Sequence, residues 1–187
     1  MVIGITGGSG VGKTTVCEWF LRHGFKVIDG DKISREVTKP LSPVLREISD
    51  AFGKEFILPN GELDRRALGK KVFSSASDLK KLNSIIHPAI TEKVREELCN
   101  AENAVIDAAA LHECDVYKLC DFSIFVSAPH DVRIKRIAKR DNITEDYAKM
   151  RISAQKSDEY YREKCKFEIV NDGILSIDTQ LEALKLC

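Results

Sequence analysis

The chain has 187 residues, 43% of them hydrophobic and 31% charged, and its 29 basic and 29 acidic side chains cancel to a formal net charge of zero. That length suits one domain with a sizeable core, and a neutral chain has no global field to draw it to nucleic acid or to a membrane surface. No apolar run reaches the roughly 20 residues of a membrane helix, and the first residues run into a strand instead of a basic and apolar leader, so a cytoplasmic protein is expected.

The six cysteines at 17, 99, 114, 120, 165 and 187 form no C-x-x-C pair. Histidines 23, 87, 112 and 130 show no i, i+4 pairing, so free thiols, several of them buried, are expected and a zinc site is not.

Val2 to Ile5 is a short β-branched run that reads as the first strand. Behind it stand Gly7-Gly8-Ser9-Gly10-Val11-Gly12-Lys13-Thr14-Thr15, in which Gly7, Gly12, Lys13 and Thr14 fit the phosphate-loop spacing G-x-x-x-x-G-K-[ST]. Glycines there let the backbone curl into an anion-binding nest, Lys13 reaches the β- and γ-phosphates, and the Thr14 hydroxyl can hold Mg²⁺. The helix-forming stretch from Thr14 to Leu21 adds its positive dipole end to the same phosphates, and Gly24 closes it as a C′ residue. Strand, glycine loop and helix together point to a nucleoside triphosphate as ligand.

A second strand, Phe25 to Ile28, runs into Asp29-Gly30-Asp31. Two carboxylates just past a strand's carboxyl end lie where open α/β sheets place their ligands, although Asp31 would also serve as the N-cap of a helix over 32–38. From Pro40 to Ala101 the chain reads as helical. Starts are expected at Ser42-Pro43, Asp64-Arg65-Arg66, Ser77-Asp78 and His87-Pro88, with a stop at Gly53 and a turn at Pro59-Asn60-Gly61. Such a run between two sheet strands is longer than an ordinary crossover and marks an inserted lobe.

Ala104 to Ile106 is the next strand, ended by Asp107, an acid placed to hold Mg²⁺ or its waters or else to cap the next segment. Phe122 to Val126 and Phe167 to Val170 supply the fourth and fifth strands, and Leu175 to Leu186 a closing helix. Between Arg133 and Lys166 there are 11 Lys/Arg against 6 Asp/Glu. A basic helical hairpin beside a phosphate loop is where a small-molecule kinase closes a lid.

Several further elements, in order, make the chain resemble the dephospho-CoA kinase family over nearly its whole length. They are the phosphate loop, Val27 to Asp31 with Arg35-Glu36-Val37, Phe52-Gly53, Gly61 to Leu68, Val72-Phe73, His87-Pro88, Asp107 to Glu113, Arg140, Arg151-Ile152 with Gln155, and Asn171-Asp172-Gly173. The stretch Ala109-Ala110-Leu111-His112 departs from the family's usual Pro-Leu-Leu-Phe, Gly30 stands for alanine, and Arg133 stands for a frequent glutamine. The departures at 109–112 and at 133 are expected to alter substrate contacts and leave the phosphate chemistry as it is.

The resemblance implies a three-layer α/β fold of the P-loop NTPase type with a five-stranded parallel sheet. Its core would be 1–39, 102–130 and 167–187, with a helical substrate lobe at about 40–101 and a lid at about 131–166. The implied reaction moves the γ-phosphoryl of ATP to the ribose 3′-hydroxyl of dephospho-CoA. Asp31 would be the base, Lys13 and Arg140 the cations on the γ-phosphoryl, and Thr14 with Asp107 the Mg²⁺ ligands. Residues Gly8 to Thr15 and Asn171 would bind ATP, Asn171 near the adenine, and Asp31, Arg65, His87 and Glu113 the substrate. A monomer is expected, with the oligomeric state left open. The alternatives are a P-loop kinase for nucleosides or their monophosphates and a GTP-gated switch. The switch lacks its guanine-reading N-K-x-D, and the one D-x-x-G, at Asp50 to Gly53, follows a helix.

Overall fold

The computed structural model describes residues 1–186; Cys187 lies outside them. The strands are β1 (Val2–Thr6), β2 (Lys26–Asp29), β3 (Ala104–Asp107), β4 (Phe122–Ser127) and β5 (Phe167–Val170). They pair in the order β2-β3-β1-β4-β5, every pair parallel. An all-parallel sheet is buried on both faces, which is why these strands read as near-continuous apolar runs. Period-two alternation still decides what each residue meets. Ile3, Ile5, Val105, Ile124 and Val126 face one way, onto Val16 and Phe20 of α1 (Lys13–Arg22) and Leu181 of α9 (Ile177–Ala183). Ala104 and Ile106 face the other way, onto Ile33 of α2 (Gly30–Val37) and Val94 of α5 (Ala76–Leu98). Each fully buried Ile or Val there is worth about 1.5–3 kcal/mol.

Between β2 and β3 the chain leaves the sheet. Together with α5, α3 (Pro43–Phe52) and α4 (Arg65–Phe73) enclose a small core of their own, from Leu45, Ile48, Phe52, Leu63, Leu68 and Val72. Ser42 caps α3 by accepting from Leu45 N, with Pro43 in the first turn, and Asp64 caps α4 by accepting from Ala67 N. After β4 come α6 (His130–Asp141), α7 (Glu145–Ser153) and α8 (Asp158–Lys164), with Ile134, Ile137, Ala148 and Ile152 packed between the first two.

Five expectations are corrected. Helix α5 starts at Ala76, because Ser75, not Ser77, accepts from Asp78 N. It also runs unbroken through Pro88 instead of restarting there. Contacts with α2, α3 and α4 along its length outweigh the one backbone bond that proline removes. The cap of α2 is Asp29, whose Oδ1 accepts from Lys32 N at 2.9 Å, so Asp31 sits inside the first turn. The last helix begins only at Ile177, because Ser176 supplies its cap and Asp172 ties Ile174 N and Leu175 N into a turn before it. Five cysteines are free thiols as expected, but among them only Cys17 is buried.

Pro88 is exposed and has no N–H to offer the Ser84 carbonyl. Pro88→Ala should therefore raise stability by about 2 kcal/mol, the restored helical bond outweighing the greater freedom of the unfolded chain. Urea denaturation checks this: a lowered midpoint would mean that the proline is needed where it stands.

Candidate active site

Parallel strands present their carboxyl ends at one edge, and register decides which residues meet there. Asp29 and Asp107 are direct partners on β2 and β3, and Ile5 of β1 pairs with Asp107, so the loop after β1 opens beside two carboxylates. Thr6 Oγ1 donates to Ala109 O at 3.1 Å and ties the end of β1 to the segment after β3. Gly12 caps α1 with φ 89°, a left-handed conformation that favours glycine, and a Cβ there would collide with the Asn171 amide. No acid sits in the first turn of α1, so its positive dipole end is unopposed.

The loop is held from behind. Arg133 Nε donates to Ser9 O at 3.1 Å, and Arg136 Nη1 donates to Gly10 O at 3.3 Å and Val11 O at 3.4 Å. Asn171 Nδ2 donates to Val11 O at 2.8 Å, and Asn171 Oδ1 accepts from Arg136 Nη2 at 3.1 Å. No cis peptide occurs among the described residues, and a trans peptide points its N–H opposite to its C=O. Three carbonyls held by these side chains therefore turn the N–H groups of Gly10, Val11 and Gly12 away from them.

That cleft has a volume of ≈ 990 Å³ and is lined by Gly8, Ser9, Gly10, Gly12, Lys13 and Thr14 on one side and by Asp29, Asp31 and Asp107 on another. Arg35, Arg136, Lys139, Arg140 and Arg151 complete it. Lys13 Nζ donates to Gly7 O at 3.2 Å. Burial pushes the Asp107 carboxyl above the ordinary aspartate range; Asp29 and Asp31 add to this, while Lys13 and a hydrogen bond from the Cys17 thiol oppose it. Arg140 is exposed and grips Asp141 with two bonds, at 2.7 and 3.0 Å, with Arg151 on the same carboxylate. Those hydrogen bonds, Arg140's first, hold Asp141 well below the usual range, at about 2.

Asp31 and Ala109 also line a smaller, mostly apolar pocket of ≈ 200 Å³ beneath α5, shared with His87, Ile90 and Val116. His87 continues into an open groove of ≈ 880 Å³ that Glu113 and Asp115 border. Burial lowers the His87 pKa while Glu113 and Asp115 raise it. On the other side of α2, Arg65 donates to Ser34 O at 3.2 Å and to the buried Thr38 hydroxyl. Desolvation and then the neighbouring Arg35 depress its pKa, with Asp31 opposing.

Of the residues singled out in the sequence, Lys13, Thr14, Asp31, Asp107 and Arg140 share the main cleft. Arg65, His87 and Glu113 lie in the adjoining pockets. Val11 turns its side chain into the core, and Thr15 does not line the cleft. Asn171 is buried, with its amide turned onto the phosphate loop, because a buried amide must satisfy both its ends. Arg133 is corrected. It touches the phosphate loop and not the substrate side. Sequence reading gave no role to Arg136, Lys139, Arg151, Arg35 or Gln155. The signal for one of them was present: Arg136 recurs with Arg133 and Arg140 at i, i+3 and i+7, one face of a helix.

The sequence profile of the dephospho-CoA kinase family matches residues 1–176. Dephospho-CoA kinase of Corynebacterium glutamicum is 34% identical over 98% of this chain and 94% of its own length. That of Thermobifida fusca is 36% identical over 91% of this chain and 87% of its own. Among solved structures, TT1252 from Thermus thermophilus covers 100% of this chain and 98% of its own with a TM-score of 0.85 and 29% identity. Shikimate kinase from Bacteroides thetaiotaomicron, 16% identical with a TM-score of 0.59 over 99% of this chain and 96% of its own, shares the fold.

If the Lys13 ammonium holds the Asp107 charge in check, Lys13→Met should move the Asp107 pKa further up, measured by carbon-13 carboxyl NMR titration. An unmoved midpoint would mean that the two groups do not feel each other.

Proposed function

The chain belongs to the dephospho-CoA kinase family, and from that premise we propose how its own residues perform ATP-dependent phosphorylation of dephospho-CoA. The enzyme transfers the γ-phosphoryl of ATP to the ribose 3′-hydroxyl of dephospho-CoA, giving CoA and ADP. The observation that carries the assignment of parts is the position of Asp31. It lines both the phosphate cleft and the pocket beneath α5, so an acceptor held on the α5 side meets a donor held on the loop at this one carboxylate.

The inward N–H groups of Gly10, Val11 and Gly12 and the start of α1 receive the phosphates of ATP. Lys13 lies across the loop and meets charge on the γ-phosphoryl. Arg140 joins it by exchanging Asp141 for the transferring group, which the exposure of its guanidinium permits. Thr14 and Asp107 offer hard oxygen donors in the same cleft as Lys13, a set that fits Mg²⁺ held jointly with phosphate oxygens and water. Held by Thr14 and Asp107, such an ion would supply neutralisation of charge on the phosphate oxygens. Among the described residues no three His, Cys, Asp or Glu side chains converge on a point, so the donor set suits an ion that arrives with its nucleotide.

Asp31 is the base. Its neighbour Asp29 is engaged by Lys32 N as a helix cap, whereas Asp31 faces the cleft, so the proton of the ribose hydroxyl passes to Asp31 as bonding to phosphorus develops. Helices α3 to α5 form the substrate lobe, with His87 and Glu113 along one groove and Arg65 beside Arg35 near Asp31. The Arg35–Arg65 pair, two cations with Asp31 as the opposing charge, suits the diphosphate of the acceptor. Helices α6 to α8 form the lid.

Asp31→Asn should lower kcat by about 10²-fold or more while ATP affinity, measured by equilibrium titration, changes little. Asp29→Asn keeps an oxygen that caps α2 and should retain most turnover. If Asp29→Asn abolishes turnover and Asp31→Asn does not, the two acids are assigned the wrong way round.

A further inference from the structure

Arg133 is 5% exposed, the only arginine among the described residues that is buried. It comes from the first turn of α6, and its three nitrogens go to three places: Nε to Ser9 O at 3.1 Å, Nη2 to Gln155 Oε1 at 3.2 Å, and Nη1 to Asp158 Oδ1 at 3.3 Å. Gln155, between α7 and α8, accepts from Ser9 N at 2.9 Å and donates to Ser9 Oγ at 2.8 Å. Thus the amide, carbonyl and hydroxyl of one loop residue are all held by two side chains from the lid. A Cβ on Gly8 would strike the Arg133 guanidinium, so this glycine makes room for the arginine, whatever it also does for phosphate.

We propose that Arg133 and Gln155 are positioning residues for phosphoryl transfer: by fixing both sides of Ser9 they set the Ser9–Gly10 peptide so that Gly10 N–H faces the transferring group. Ser9 is flanked by Gly8 and by Gly10, whose φ is 79°. Glycines on both sides leave the peptide plane between 9 and 10 free to rotate once its side-chain partners are gone. Arg136 and Asn171 hold the Val11 and Gly12 amides independently, so the loss of Arg133 would cost one donor at the tip and not the whole nest. Because Asp158 and Gln155 both lie beyond α7, the same contacts bring the lid to the loop. When the lid segment after α7 is in its seat, the loop tip is set.

The inference rests on the kinase reading, and the tests separate the two. ATP with Mg²⁺ is titrated into the wild type, Arg133→Met, Arg133→Lys, Gln155→Ala and the double variant Arg133→Met/Gln155→Ala, and kcat and KM are measured with dephospho-CoA. Both Arg133→Met and Gln155→Ala should lower kcat about 10- to 100-fold, with the ATP dissociation constant moved less than about threefold. Arg133→Lys, with one donor in place of a planar fork, should recover part of the loss. The double variant should be no slower than about the slower single one, since both act through Ser9. Multiplying losses would overturn the proposal, as would normal kcat with a lowered melting temperature, the mark of a merely structural role. Should Arg133→Met fail to fold, Gln155→Ala, which removes a half-buried side chain from a connecting segment, decides alone: normal kcat there overturns it. Wild-type protein that binds ATP but leaves dephospho-CoA untouched would refute the kinase reading, and the positioning would then be read from the rate of ATP hydrolysis in the same variants.

Discussion

The site depends on which way a handful of peptide planes face. A phosphate needs N–H groups, yet a free glycine-rich loop turns its carbonyls inwards as readily as its amides. Here the choice is made by cations behind the loop: Arg133 and Arg136 take the carbonyls of Ser9, Gly10 and Val11, and planarity turns the following amides to the other side. Asn171 braces the same loop from the end of β5, with its own backbone N–H held by Ser127 O at 2.8 Å. The anion site at one end of the sheet is thus built from β1, α6 and β5 together. Its geometry is preorganised by side chains packed against the loop.

A second constraint is electrostatic. Three carboxylates, Asp29, Asp31 and Asp107, gather at one edge of the sheet, and burial first, then repulsion from the other two, raises the pKa of Asp107. Lys13 and the lid arginines face them across the same cleft, so a chain with no net charge carries a strongly polarised centre. The three acids divide by environment. Asp29 is engaged by a backbone amide, Asp107 is half-buried beside Lys13, and Asp31 is exposed where two pockets meet. That division is what the proposed roles in proton transfer and charge neutralisation rest on.

Much of the fold was legible in the sequence. The apolar runs at 2–5, 104–106, 122–126 and 167–170 are strands within one or two residues, because a buried parallel sheet leaves its strands no polar face. Caps at Ser42 and Asp64 were readable because Ser and Asp satisfy helix-start amides locally. Pro88 misled because its meaning depends on tertiary contacts: α5 is held by three other helices, and local punctuation yields to them. In the site, Lys13, Thr14, Asp31 and Asp107 were found by spacing and by their place at strand ends. That Gln155 holds Ser9 could not be read, since it acts across 146 residues of sequence, nor that Asn171 braces the loop, because only the folded chain puts β5 behind it.

The acceptor is what distinguishes this enzyme from other kinases of its fold. Incubation of the pure protein with ATP, Mg²⁺ and dephospho-CoA, followed by phosphorus NMR and mass spectrometry, reads it directly. The account predicts one CoA formed for each ADP, with the new phosphate on the ribose 3′-oxygen, and no comparable turnover of shikimate, nucleosides or nucleoside monophosphates. Rapid phosphorylation of one of those acceptors, with dephospho-CoA unchanged, would contradict it.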